Sequence, residues 1–254
     1  MIAALPMYLR PENRAAHDTL WSLIRDNLNA GGLDPPNTLS HDLDIWTGWT
    51  SPDLLLGQIC NLPYRAKLRG KVHIVGLLDY GLPDAPPGYY YSYFVTHDPT
   101  VKDSLALVNA RFVCNETLSQ SGYGAPQLWA KRHGTHFANV TETGAHAESV
   151  RALKERRADI AAIDAITWNM LERRGETDGL HIIGQTDTSP GQSLITARPD
   201  AVAPLRKAIS QAIETLPDAH RVNLGIRGLV VPDLEAYDLP LPDPPETQGQ
   251  QSTC

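Results

Sequence analysis

The stretch Asn115-Glu116-Thr117-Leu118-Ser119-Gln120-Ser121-Gly122-Tyr123-Gly124-Ala125-Pro126 decides how this chain is read. It follows an apolar run over residues 110–114 and precedes a helical pattern over 127–132, so an extended segment delivers hydroxyl-rich chain onto a helix start. The first N–H groups of a helix lack partners inside it, and the aligned peptide dipoles add about half a positive charge there. Such a start suits a phosphate, phosphonate or carboxylate. The hydroxyls of Thr117, Ser119 and Ser121 are further donors, Asn115 and Gln120 bring amides, and Gly122 and Gly124 let a ligand approach the backbone. The plain alternative is an N-cap followed by a loop, since Ser and Thr begin many helices that bind nothing.

On both sides of this stretch, strand candidates alternate with helical ones. Residues 2–7 read as a short buried strand, and 14–30 as a helix with Leu20, Leu23, Ile24 and Leu28 at helical spacing, stopped by Gly31-Gly32. Residues 43–46 alternate like a strand, and Ser51-Pro52-Asp53 has the pattern of a helix start, which predicts a helix over 54–60. Residues 71–78 are β-rich and end at Asp79 and Tyr80. The aromatic run 89–95 reads as a strand and a candidate crossover. Beyond the opening stretch, His146 begins a helix through Val150 and Leu153, and a strand over 158–164 closes at Asp164. A helix over 165–173, strands over 180–184 and 192–196, an amphipathic helix over 199–216 and a short one over 218–224 follow. From about residue 236, proline and polar residues predict a disordered tail.

This alternation is that of an α/β fold, whose ligands usually lie outside the carboxyl ends of the strands. Tyr8, Asp79, Tyr80, Asn115 with its Ser-rich loop, and Asp164 each follow a predicted strand and are expected to converge on a ligand. Asp164 is equally readable as a helix cap, and His146 as a structural residue.

The 254 residues suffice for one large domain or two lobes, and a net charge of −7 without a basic block argues against nucleic acid as partner. With 42% hydrophobic and 20% charged residues and no apolar run of about 18, the composition gives no membrane span. The three cysteines, Cys60, Cys114 and Cys254, are spaced too widely for a metal knuckle. No leader-like segment precedes residue 2, so the chain as written is expected not to be exported. The Ser-rich stretch lacks the Gly-x-Ser-x-Gly elbow of serine hydrolases, and no dinucleotide or Walker glycine pattern occurs. His133 and His136 lack a nearby ligand set for a metal. Binding without chemistry, with no cofactor and no metal, is what remains.

Taken in order, Leu5-Pro6-Met7-Tyr8, Ser51-Pro52-Asp53-Leu54, Leu62-Pro63-Tyr64, the stretch from Asn115 to Gly122, Gly144-Ala145-His146 and Ala158-Asp159-Ile160-Ala161-Ala162-Ile163-Asp164 form a pattern. It resembles the phosphate, phosphite and phosphonate substrate-binding proteins of ABC transporters over most of residues 1–235. The resemblance implies a type II periplasmic-binding-protein fold: two α/β lobes joined by a two-crossover hinge and closing on a solute. Lobe 1 would hold residues 1–93 and 191–235, lobe 2 residues 94–190, with 236–254 as the tail. It also implies Ser119, Gln120, Ser121 and Gly122 as anion contacts, His146 as a second-lobe contact, Tyr8 and Tyr64 as first-lobe walls, and Asp164 at the ligand's other end. The implied partners are a small anionic or zwitterionic ligand and an ABC permease, with a monomeric protein and a periplasmic location. The many aromatic residues, with Asp79 or Asp164, suit a cationic group and point to an aminophosphonate-like solute rather than inorganic phosphate. Two other classes are open: a cytoplasmic enzyme similar to the pyrimidine-precursor proteins of thiamine synthesis, and a ligand-sensing module.

Overall fold

The computed structural model describes residues 1–245. They form two compact units, the first holding Met1–Tyr90 and Thr188–Leu239, the second Tyr91–Asp187 and the chain from Pro240 on.

In chain order the elements are β1 (Ile2–Ala3), α1 (Arg14–Ala30), α2 (Ile45–Thr50), β2 (Leu54–Ile59), the single turn α3 (Asn61–Pro63), β3 (His73–Asp79), β4 (Tyr89–Tyr90), β5 (Ser92–Thr96) and β6 (Arg111–Cys114). There follow α4 (Ala125–Arg132), β7 (Asn139–Glu142), α5 (His146–Lys154), β8 (Ile160–Asp164), α6 (Ala165–Glu172), β9 (His181–Gln185) and β10 (Ser189–Pro190). The last are β11 (Ser193–Thr196), α7 (Val202–Thr215), α8 (Asp218–Leu224) and β12 (Gly228–Val230). Two π-helical turns, Tyr64–Leu68 and Gln120–Gly124, follow α3 and precede α4.

The sheet of the first unit has the order β1-β2-β11-β3-β12. β1 runs parallel to β2, and β11 is antiparallel to both β2 and β3, so β1, β2 and β3 present their carboxyl ends at one edge. The apolar stripe of α1 (Leu20, Trp21, Ile24, Leu28) joins that of α7 (Leu205, Ile209, Ile213) over Leu55, Val75, Leu78 and Leu194. Trp49, Tyr64, Leu68 and Tyr237 cover the other face through Ile59, Leu77 and Ile195. Each such side chain removed from water is worth roughly 1.5–3 kcal/mol, and burial on both faces fixes the register.

The second unit has the order β7-β6-β8-β5-β9, with β6 parallel to β7 and β8, and β5 antiparallel to β8 and β9. β8 shows the two-residue period of a strand: Ile160 and Ala162 face Phe112, Cys114, Tyr123 and Phe137, while Ala161 and Ile163 face Val150, Leu153, Trp168 and Leu171. Parallel β6 and β8 aim residues 115–119 and Asp164 at the same edge.

Two expectations give way. Residues 54–59 are a strand, not a helix, because all six are buried; a central strand covered on both faces shows no alternation to separate it from a helix. Residues 45–50 are helical, not extended, because Asp44 caps them, its Oδ1 accepting from the Thr47 N–H at 2.8 Å and the Thr47 hydroxyl at 2.9 Å. Part of the proline-rich tail makes contacts among the described residues. Tyr237 is fully buried and bonds Ser193 Oγ at 2.7 Å, and the Asp243 carbonyl accepts from the Tyr123 hydroxyl at 2.7 Å. Residues 246–254 lie outside the described residues. The run 89–95 also breaks at Tyr91: β4 pairs with β10 in the first unit, β5 with β8 in the second.

At the edge of the first sheet, a Cβ on Gly76 would meet the Val230 carbonyl oxygen at 2.9 Å and Leu229 Cδ1 at 2.8 Å. Gly76→Ala is therefore expected to push β12 off β3 and cost about 1–3 kcal/mol, read as a lower urea midpoint with an unchanged m-value.

Candidate functional site

The loop after β6 is wound by Ser119. Its Oγ accepts from the Gly122 N–H at 3.1 Å, and its carbonyl accepts from the N–H groups of Tyr123 and Gly124 at 3.1 and 2.9 Å. Those bonds close the π-helical turn that runs into α4. Ser121 Oγ then lies 3.3 Å from Ser119 Oγ and 2.9 Å from His146 Nε2. The backbone of Ser121 is anchored as well, its carbonyl accepting from Ser92 Oγ at 2.9 Å, and Ser92 stands opposite Asp164 in the β5–β8 register.

Gly122 is there for want of space. A Cβ would stand 2.0 Å from Oδ1 of Asn115, and that oxygen is buried without a donor. Gln120 is buried within the same turn.

His146 is placed by the chain before it. The N–H groups of Thr143 and Gly144 donate to the carbonyls of Cys114 and Asn115, both at 2.8 Å, and Thr143 Oγ1 bonds Ser149 Oγ at 2.7 Å. These bonds tie the start of α5 to the end of β6 and set His146 as its first residue. Burial lowers the His146 pKa from 6.5 to about 4, so the ring is neutral near pH 7. Its Nδ1 is shut off from solvent with no partner.

Thr117 does not serve as a free donor. Its N–H and hydroxyl both donate to Glu142 Oε1, at 2.5 and 2.6 Å. Asp164 caps α6, its Oδ1 accepting from the N–H groups of Ile166 and Thr167 at 2.7 and 2.9 Å. The structure thus brings together Asn115, Ser119, Gln120, Ser121, Gly122 and His146, with Asp164 linked through Ser92. The other expected residues belong to the first unit. There Tyr8 and Tyr80 meet edge to face at 5.1 Å, and Tyr64 meets Tyr237 in the same way at 5.1 Å. Asp79 Oδ1 accepts from the N–H groups of Gly81 and Gly88 at 2.9 and 3.2 Å, which pins the loop after β3.

Sequence reasoning missed Ser92 and Glu142. A lone serine within an aromatic strand was the available signal for the first; for Glu142 there was none, since its partner is 25 residues away. A groove of about 580 Å³ lies by Arg111, Thr141, Glu142 and Arg157. Arg111 and Arg157 are already paired, with Asp159 at 2.7 Å and Glu155 at 2.6 Å.

A sequence-family model for ABC transporter, phosphonate, periplasmic substrate-binding protein matches residues 67–237. No curated protein matches by sequence. Among solved structures, PhnD1 from Prochlorococcus marinus in complex with methylphosphonate is similar, with a TM-score of 0.67, 15% identity and coverage of 93% of this chain and 94% of that one. A binding protein component of an ABC phosphonate transporter from Pseudomonas aeruginosa has a TM-score of 0.66 at 15% identity, covering 93% of this chain and 82% of its own. XAC2383 from Xanthomonas citri bound to ATP has a TM-score of 0.67 at 13% identity, covering 92% of both chains. At these identities the likeness establishes the fold, the periplasmic-binding-protein fold expected from the sequence.

Because the folded His146 binds its proton far more weakly than the unfolded one, the unfolded state holds more protons between about pH 6.5 and 4, and stability falls as pH falls through that window. The lowered pKa of buried His17 acts with the same sign. His146→Gln is expected to remove up to about 3 kcal/mol of this pH dependence, measured as the difference between urea-derived stabilities at pH 7 and pH 4.5.

Proposed function

The chain belongs to the phosphonate periplasmic substrate-binding protein family of ABC transporters, and from that premise we propose that it is the solute-binding protein of an uptake system, holding the oxyanion group of a small organic solute at residues 119–122 and His146. The observation that carries this reading is the convergence of Ser119 Oγ, Ser121 Oγ and His146 Nε2, each within 3.3 Å of the next, at a helix start closed by Gly122. Their hydroxyls, the ring and the first-turn N–H groups turn from one another to a ligand's oxygens at little cost in conformational entropy, because packing already holds them. No bond is made or broken in this role. Transfer of the solute to a membrane permease completes it.

The zwitterionic solute expected from the sequence relied on Asp79 or Asp164 meeting an ammonium group. Both carboxylates have an oxygen filled by two backbone N–H groups, which favours an organic anion over an aminophosphonate. Tyr8 and Tyr64, the first-unit walls implied by the resemblance, belong to the same proposal and are tested by Tyr8→Ala and Tyr64→Ala.

Isothermal titration with methylphosphonate, phosphite, phosphate, sulfate and acetate tests the reading. Hydrogen bonds to a charged group are worth about 1.5–3 kcal/mol, so Ser121→Ala and Ser119→Ala are each expected to weaken phosphonate binding by roughly tenfold to a hundredfold. Phosphorus NMR of the bound solute over a day should show it unaltered. Failure of every oxyanion to bind, or alanine variants that bind as the parent does, would overturn the reading; product signals would make the protein an enzyme.

A further inference from the structure

The chain from Pro240 on belongs to the second unit and lies beyond the residues that the family model matches. Four of the six residues 240–245 are proline, and Leu241, Asp243 and Pro244 each precede one. Proline locks its own φ and drives the residue before it to extended values. Each residue of the segment is restricted in one of these ways, so the segment is stiff before it docks. Stiff polyproline backbone loses little entropy against an aromatic surface.

The second unit meets this segment at Tyr123. The Tyr123 hydroxyl donates to the Asp243 carbonyl at 2.7 Å, and Lys131 Nζ lies 3.2 Å from Asp243 Oδ2. The ion pair is exposed at both ends and adds little. The phenol is the anchor, because Tyr123 is 2% exposed and clusters with Phe112, Cys114 and Phe137. Burial pushes its pKa up to about 12, so it keeps its proton and stays a donor. Beside it the Gln127 amide bonds the Phe137 backbone at 2.8 and 3.0 Å, which holds the floor in place. A cavity of about 260 Å³ remains between that floor and residues 242–245, so the segment is seated at Tyr123 and not packed flush along its length.

Tyr123 is also part of the turn after Ser119. Its N–H donates to the Ser119 carbonyl at 3.1 Å, one of the bonds that close the π-helical turn. One residue thus has its backbone in the turn and its hydroxyl on the proline segment, and whatever fixes one end helps to fix the other.

We propose that residues 240–245 are a strap for the solute site: their docking on Tyr123 and oxyanion binding at residues 119–122 strengthen one another. This rests on the solute-binding reading above and involves the second unit alone. A bound solute favours the closed turn, and the closed turn presents the Tyr123 hydroxyl to Asp243. By linkage, a docked strap raises solute affinity by the same factor by which solute raises docking. Tyr123 is then a positioning residue that acts on the solute through the Ser119 carbonyl.

The experiment uses the full chain with a nitroxide label on Leu241→Cys in a Cys254→Ser background; Leu241 is 53% exposed, whereas Cys60 and Cys114 are buried. Label mobility is followed by electron paramagnetic resonance, and methylphosphonate affinity by titration of the unlabelled chains. Pro242→Gly with Pro244→Gly, and separately Tyr123→Phe, are each expected to raise the mobile fraction of the label and to weaken methylphosphonate binding by about fivefold or more. Saturating methylphosphonate is expected to lower the mobile fraction of the double proline variant by about twofold or more. Unchanged mobility in both variants, a loosened strap that methylphosphonate leaves as mobile as before, or variants that melt lower yet bind methylphosphonate as wild type does overturns this inference alone. Failure of wild type to bind any phosphonate overturns the reading beneath it as well.

Discussion

A Cβ on Gly122 would stand 2.0 Å from Oδ1 of Asn115, so the chain after β6 closes into its π-helical turn only on a residue without a side chain. Much follows from that closure. It lets Ser119 accept from the Gly122 N–H at 3.1 Å and turn Ser121 toward the start of α5, where Ser121 Oγ reaches His146 Nε2 at 2.9 Å. The Asn115 oxygen is left buried and unmet, at a cost of about 1–3 kcal/mol. Folds accept such local losses at positions kept for binding, and here the unmet oxygen, the unmet Nδ1 of His146 and the hydroxyl pair all lie within one short stretch of structure.

Two packing arrangements hold the turn in place. Parallel pairing of β6 with β7 and β8 fixes the level at which the loop leaves the sheet, and the ties from Thr143 and Gly144 to the carbonyls of Cys114 and Asn115 fix the start of α5 at that same level. The Ser92 hydroxyl then couples the turn to β5 through the Ser121 carbonyl. The site is thus built on strand ends, with positions set by the register of a sheet whose two faces are both buried. Slippage by one residue would put Phe112 and Val113 on the wrong faces, which the packing of Phe137 and Val150 forbids.

How far all this could be read from the sequence depended on how local the cause was. α1 and α7 bury one stripe each, so their apolar period shows plainly in Leu20, Ile24 and Leu28 and in Leu205, Ile209 and Ile213. The Ser119 cap and the glycine after it are also local, and the hydroxyl-rich turn was legible for that reason. β2 was not, because Leu54, Leu55 and Leu56 are buried alike and the strand's own period vanishes. Thr117 looked like one more donor, yet Glu142, on a strand that pairs alongside β6, consumes both its N–H and its hydroxyl.

The electrostatics of the turn explain why such a site suits a chain of net charge −7. Its contacts consist of two hydroxyls, an imidazole kept neutral by burial and N–H groups at a helix start. A lysine or arginine in their place would draw in any anion through a field that reaches well beyond contact distance and fades with salt. Neutral donors act only at hydrogen-bond distance and in fixed directions. They therefore discriminate by the number and geometry of an acceptor's oxygens. Burial keeps the ring uncharged near pH 7 and so sets His146 among the neutral groups of the turn.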